Sequence, residues 1–93
     1  MTNSEILIPL KIDLQISATA MDDYLLNLID KARVAIKTEG ITISDCSIAD
    51  GMLVEEYAAY LYRHRREGSP MPRMLRWDLN QRLFREKAGA SDG

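Results

Sequence analysis

Between Met21 and Ile36 the apolar side chains fall at Met21, Leu25, Leu28, Ala32, Ala35 and Ile36, with Tyr24 and Ile29 beside them. Steps of three and four place them on one face of an amphipathic helix, and that face must be buried against other elements. Ser17-Ala-Thr19 reads as the start, a hydroxyl N-cap followed by Asp22 and Asp23 at the positive helix end. Lys37 lies in the last turn and Gly40 suits the position just past it. The expected helix covers about residues 19–39. A chain of 93 residues has room for one small domain around it, and none for a two-domain enzyme with a cleft between the domains.

The flanks are less regular. Ile6, Ile8, Leu10, Ile12, Leu14 and Ile16 alternate with a period of two, a strand signal that Pro9 would demote to an edge; a short helix over residues 10–15 competes with it. Residues 41–47 read as an extended loop, with Ile41 and Ile43 alternating with hydroxyls. Asp50 or Ser47 then caps a second helix to about residue 66. Its apolar side is Val54, Tyr57, Ala58 and Leu61, flanked by Leu53 and Tyr60, and at least one of Tyr57, Tyr60 and Tyr62 must reach water or a partner. Gly68-Ser-Pro70-Met-Pro72 stops that helix, and Pro72 can serve as the first residue of a third. Leu75, Leu79 and Leu83 run down one side of the third helix, Met74 and Phe84 lie adjacent, and Trp77 lies away from the leucine row. The reading is an all-α single domain over 1–93: three main helices plus a short N-terminal segment, an ordered core of about 6–87 and a frayed tail over 88–93.

Charge is unevenly placed. Residues 1–60 carry ten acids and four bases, a net of −6, while residues 61–93 carry eight bases and four acids, a net of +4. The net charge of −2 argues against a general nucleic-acid coat. The asymmetry permits a basic patch that meets phosphate or an acidic partner, and head-to-tail contact between copies. A single cysteine excludes an intrachain disulfide framework and suits a reducing compartment. No apolar run approaches the roughly 20 residues of a membrane span, and MTNSEILIPLK lacks a basic n-region and cleavage site, so neither membrane insertion nor secretion is expected.

Catalytic chemistry has no foothold in the sequence. Cys46 and His64 are the only residues of their types, so no nucleophile comes with a base and an orienter. Cys46 reads as a small loop or half-buried residue, and His64, among arginines, as neutral or solvated. One His and one Cys need two further ligands for a metal site, and no spacing supplies them. Asp22-Asp23 and Glu55-Glu56 are helix neighbours about 100° apart, so neither pair converges on one point. The expectation is a non-enzyme without metal or cofactor. The Gly/Pro turn between two helices also fits a helix-turn-helix, with the third helix offering Arg73, Arg76, Arg82 and Arg85 to DNA. Arg73 and Arg76 share a face with Asn80, while Arg82 and Arg85 point elsewhere.

Over residues 20–84 the helix faces resemble a known family. Met21-Asp-Asp-Tyr24-Leu25-Leu-Asn-Leu28-Ile29 opens a helix that ends in Ala35-Ile36-Lys-Thr-Glu-Gly40-Ile41. Leu53-Val54-Glu-Glu-Tyr57-Ala58-Ala59-Tyr60-Leu61-Tyr62-Arg63-His-Arg65-Arg66 follows, then Pro70-Met71-Pro72-Arg73-Met74-Leu75-Arg76 and Leu79-Asn80-Gln-Arg82-Leu83. This pattern resembles the head–tail connector (adaptor) proteins of tailed bacteriophages and prophages, and residues 57–66 followed by 70–76 are its most distinctive piece. The resemblance implies a small all-α subunit, many copies of which form a ring beneath the portal protein. The ring extends the channel for double-stranded DNA, without sequence-specific binding, and docks the stopper or tail-completion protein. The implied location is the virion neck, after synthesis in the bacterial host cytoplasm. One departure is the short loop between Gly40 and Asp50, where larger family members carry more, which implies a reduced contact there.

Arg, Tyr and Trp are enriched in interface hot spots. The candidate interface residues are therefore Tyr60, Tyr62, Arg63, Arg65, Arg66, Arg73, Arg76 and Trp77. The alternatives to a connector are a small DNA-binding regulator using the third helix and a generic helical adaptor for another protein.

Overall fold

Thr2 starts the first helix, α1 (Asn3–Leu14), in the computed structural model, which describes residues 1–91 and the side chains through residue 88. The Thr2 hydroxyl accepts from the Glu5 N–H (3.3 Å), and the Glu5 carboxylate accepts from the Thr2 N–H (2.8 Å). This reciprocal cap satisfies two donors of the first turn. The segment is therefore helix, not strand, and begins well before residue 10. The alternation misleads because a period of two contains a period of four. On a helix, residues two apart lie about 200° apart. Ile6, Leu10 and Leu14 thus form an inner row, and Ile8 and Ile12 an outer one. Pro9 lies inside the helix and offers no N–H to the Glu5 carbonyl. The helix closes at Gln15 in the left-handed region (φ 58°), with Gln15 N–H bonding to the Ile12 carbonyl (3.2 Å) and Ile16 N–H to the Lys11 carbonyl (2.9 Å).

The second helix, α2 (Asp22–Thr38), starts differently from the expected hydroxyl cap. A single 3₁₀ turn (Thr19–Met21) leads into it, and neither Ala18 before that turn nor Met21 before the helix makes a side-chain cap bond. Asp22 and Asp23 do stand in the first turn, and Asp22 takes the Lys11 ammonium at 2.7 Å. The other end matches expectation. Gly40 adopts φ 100°, its N–H bonds to the Lys37 carbonyl (2.9 Å), and Ile41 N–H reaches the Ile36 carbonyl (3.4 Å) before the Ile41 side chain enters the core.

Of the two candidate caps for α3 (Ile48–Glu67), Ser47 does the work, accepting from the Asp50 N–H at 3.2 Å. Asp50 turns inward instead. Gly68, at φ 68°, ends the helix as expected. Pro72 stands one place before α4 (Arg73–Ser91) rather than within it, and its carbonyl accepts the Arg76 N–H at 3.1 Å. Leu75 and Leu79 are buried and Leu83 partly so, while Met74, Trp77 and Phe84 lie outside. The helix continues through Ser91; residues 92–93 of the expected tail lie outside the described residues. The all-α class holds, with four helices in place of three and no strand among the described residues.

The third helix is the hub. α1, α2 and α4 all pack on it, and α1 and α2 pack on each other. Core side chains come from every helix, among them Leu10, Leu28, Ile29, Val54, Tyr57 and Leu79. A Cβ at Gly51 would fall 2.7 Å from the Met1 Cβ and Cγ, so only glycine lets the N-terminus lie this close. Gly51 and Glu55 face α1, whereas Ala49, Leu53 and Glu56 face α4. At 100° per residue these sets lie well apart around α3, although at one end Asp13 of α1 and Met74, Leu75 and Asp78 of α4 border a common depression; the molecule measures 47 × 28 × 17 Å. Arg33 ties the N-terminal edge together: it donates to Asn3 Oδ1 (2.7 Å), the Met1 carbonyl (2.9 Å) and the Asp45 carboxylate (3.3 Å).

Replacing Pro9 by Ala supplies the missing donor to the Glu5 carbonyl and removes the ring clash. Pro9→Ala is expected to stabilise the chain by about 1–2 kcal/mol. Urea denaturation measures this, and a lower midpoint for the variant would show that Pro9 packing outweighs the helix defect.

Candidate interaction surface

The eight candidate interface residues separate into two groups. At the end of α3, Tyr62 stands edge-on to Tyr24, with centroids 6.4 Å apart at 63°. The Arg65 guanidinium lies 5.8 Å from the Tyr24 centroid and the Arg66 guanidinium 5.4 Å from that of Tyr62. Arg66 also donates to the Tyr62 hydroxyl at 2.9 Å. Tyr60 sits between Tyr57 (5.7 Å, 81°) and His64 (5.6 Å), half-buried. This end of the molecule is a platform of two aromatic rings with two exposed cations held over them. Such contacts restrict long side chains before any partner arrives, which lowers the ordering cost of binding.

Arg63 does not join that platform. It bonds within the chain to the Asp13 carboxylate (3.3 Å) and carbonyl (3.4 Å), linking α3 to the end of α1. Arg76, on α4, is likewise an internal tie, bidentate to Glu39 at 2.8 and 3.0 Å and 3.5 Å from Asn80 Oδ1. Both arginines are thus paired within the chain, while their side chains stay 45% and 44% exposed. Arg73, Arg76, Trp77, Asn80 and Met71 line one shallow depression of ≈ 530 Å³, so the shared face of Arg73, Arg76 and Asn80 holds. Arg73 is exposed and makes no ion pair among the described residues.

Sequence reasoning missed the carboxyl pairs at the helix seams. Glu55, only 5% exposed, lies close to the Asp13 carboxyl of α1. Burial first, then the Asp13 and Glu56 charges, push Glu55 up to about 7, against the pull of Arg63. Glu56, more open to water, is raised first by partial burial and then by the nearby Asp78 carboxyl of α4. The neighbours Glu55 and Glu56 do point apart, as expected, yet each meets a carboxyl from another helix. One turn earlier, Asp50 shows the opposite behaviour. Burial pushes it up, but the Ser44 N–H (2.8 Å) and the Arg82 guanidinium outweigh burial and hold it below the usual range. Nothing near Glu55 in the sequence announces Asp13, 42 positions away.

Cys46 is exposed, not half-buried. His64 is exposed, and its Nδ1 lies 2.9 Å from the Ser69 carbonyl oxygen, a contact it makes as donor. Among the described residues no three His, Cys, Asp or Glu side chains are arranged to hold a metal ion, and no helix is long and apolar enough to cross a membrane. In comparisons with family models, curated proteins and solved structures, nothing matches the chain.

The fold raises Glu55 from an ordinary 4.5 to about 7, so its contribution to stability is full below about pH 4.5 and is lost as pH rises through 7. Glu55→Gln offers Asp13 an amide donor and removes the titration. The variant should be more stable than the parent by roughly 1–3 kcal/mol at pH 8 and converge with it near pH 4.5. Denaturant midpoints across that range test this, and parallel pH profiles would refute it. Asp50 acts in the opposite sense, stabilising above its ordinary 3.8 and losing that contribution in acid. Arg82→Met should cost about 2–4 kcal/mol near neutrality and flatten the acid limb of the same profile.

Proposed function

We propose that this chain is a non-enzymatic structural subunit of a tailed phage or prophage particle. It is a head–tail connector that assembles with copies of itself as a ring under the portal protein, lets double-stranded DNA pass, and docks the stopper or tail-completion protein. The observation that carries the reading is the sequence pattern of residues 57–66 followed by 70–76, which falls on the C-terminal half of α3, the proline turn and the start of α4. The surface chemistry supports it. Tyr62, Arg65 and Arg66 form a pre-arranged aromatic–cationic platform, and Trp77 lies outside the core. Aromatic and arginine side chains in such positions are the usual anchors of protein interfaces. The role needs no cofactor and no catalytic group, and it locates the protein in the virion neck.

A DNA-binding regulator reading through α4 is weaker. Two of the four arginines it would use are engaged within the chain, Arg76 with Glu39 and Arg82 with Asp50. That leaves Arg73 and Arg85, 12 positions and about 18 Å apart along the helix.

Mass spectrometry of gradient-banded particles tests the proposal. The chain should appear at a small fixed ratio to the major capsid protein, on the order of one ring per particle. Absence from intact, tail-bearing particles would overturn it. In parallel, fluorescence anisotropy with a free DNA duplex should show negligible affinity. Tight, salt-dependent binding that falls in Arg73→Glu and Arg85→Glu would favour the regulator instead.

A further inference from the structure

Apolar side chains reach water on all four helices, Val34 on α2 and Ile48 and Met52 on α3 included; the most exposed rows are on α1 and α4. On α1, Ile6 and Leu10 point inward, while Ile8 and Ile12 are 64% and 73% exposed. On α4, Leu75 and Leu79 point inward, while Met74, Trp77 and Phe84 are 69%, 55% and 72% exposed. Helical geometry makes the outer sets rows rather than scatter. Ile8 and Ile12 are one turn apart, and Met74, Trp77 and Phe84 span a sector of about 80° opposite the leucines. Trp77 and Phe84 each leave on the order of 100 Å² in water. A stripe of this kind, rimmed by polar groups, is the mark of an interaction site.

The charges of these faces are complementary. The outer side of α1 carries Ser4 and Glu5, and its one lysine, Lys11, is tied to Asp22. The α4 stripe carries Arg73 near one end and Arg85 near the other, neither in an ion pair among the described residues. The same contrast runs through the chain, net −6 over residues 1–60 and +4 over 61–93.

We propose that the outer face of α4 docks on the outer face of α1 in a second copy of this chain. Trp77 and Phe84 cover Ile8 and Ile12, and one of the two free arginines meets Glu5. This deepens the connector reading, on which it rests for the closing of a ring, by naming the two faces that meet. Because the faces differ, the contact is heterologous: a docked pair still presents one free face of each kind, and addition continues until the rotation closes. The aromatic stripe supplies the apolar centre of an interface whose standard size is about 800 Å² per partner, and the arginines belong to its rim.

Sedimentation of the full chain over a range of concentrations tests this, with two double variants. Trp77→Glu/Phe84→Glu blocks the α4 face, and Ile8→Glu/Ile12→Glu blocks the α1 face. All four positions are exposed, so both variants should keep the parent's far-UV circular dichroism. Should glutamate unfold either one, Trp77→Ser and Ile12→Ser replace it. The parent is expected to assemble beyond a dimer, and each variant to weaken association about tenfold or more. An equimolar mixture of the two variants should form a heterodimer and stop there, because only one α1–α4 contact remains possible. Variants that assemble like the parent, or a mixture that does not pair, would overturn the choice of faces while leaving the connector reading to the particle analysis. A parent that stays monomeric at every concentration would overturn self-docking itself.

Discussion

Three helices reach α3 at once, and they do so because its sides are narrow. Gly51, Ala58 and Ala59 put a methyl group or less where neighbours approach, so Leu53, Val54 and Tyr57 can supply the bulk elsewhere on the same helix. The rest of the molecule follows from that arrangement. α1 and α2 share a face with each other as well as with α3, and Arg33 stitches their ends to the N-terminus. α4 has α3 alone as its helical partner of any extent. Its Leu75 and Leu79 are therefore supplemented by polar ties: Arg76 to Glu39, Arg82 to Asp50, and the Glu86 carboxylate accepting the Thr42 N–H at 2.8 Å. A helix so held keeps its second face available.

The hub also explains why two acids one turn apart on α3 behave oppositely. Asp50 enters the seam with α4 where a backbone N–H and a guanidinium stand ready for a carboxylate. Glu55 enters the seam with α1 where another carboxyl waits. Burial is common to both, and the neighbour decides the sign. Of the seam cations, Arg63 pairs with Asp13 and lowers Glu55 only in part, so burial and the neighbouring carboxyls prevail there.

Much of this was legible in particular residues. The steps of three and four through Leu25, Leu28, Ala32 and Ile36 identified α2, and Gly40 marked its end because only a residue tolerant of positive φ closes that turn. The Gly68-Ser-Pro70-Met-Pro72 break was equally plain, and Trp77 fell outside the core as its angle from the leucine row required. α1 was less legible because its alternation fits two periods and Pro9 speaks against helix; Thr2 and Glu5 are the local signal that decides for helix. Within the candidate surface, the Tyr62–Arg66 pair follows from a spacing of four.

Periodicity, capping and turn chemistry act over a few residues, and from them alone follow the helical character of the chain, the ends of α2 and α3 at Gly40 and Gly68, and the gathering of basic residues in the last third. Tertiary structure alone decided which of those bases are spent. Arg76 finds Glu39, 37 positions away, and Arg63 finds Asp13, 50 positions away. It also brought Glu55 to Asp13 and left the outer rows of α1 and α4 uncovered. The physical reason is range. A helix face is written in neighbouring residues, whereas the partner of a side chain on that face depends on how whole helices stack around α3, and no local spacing encodes that.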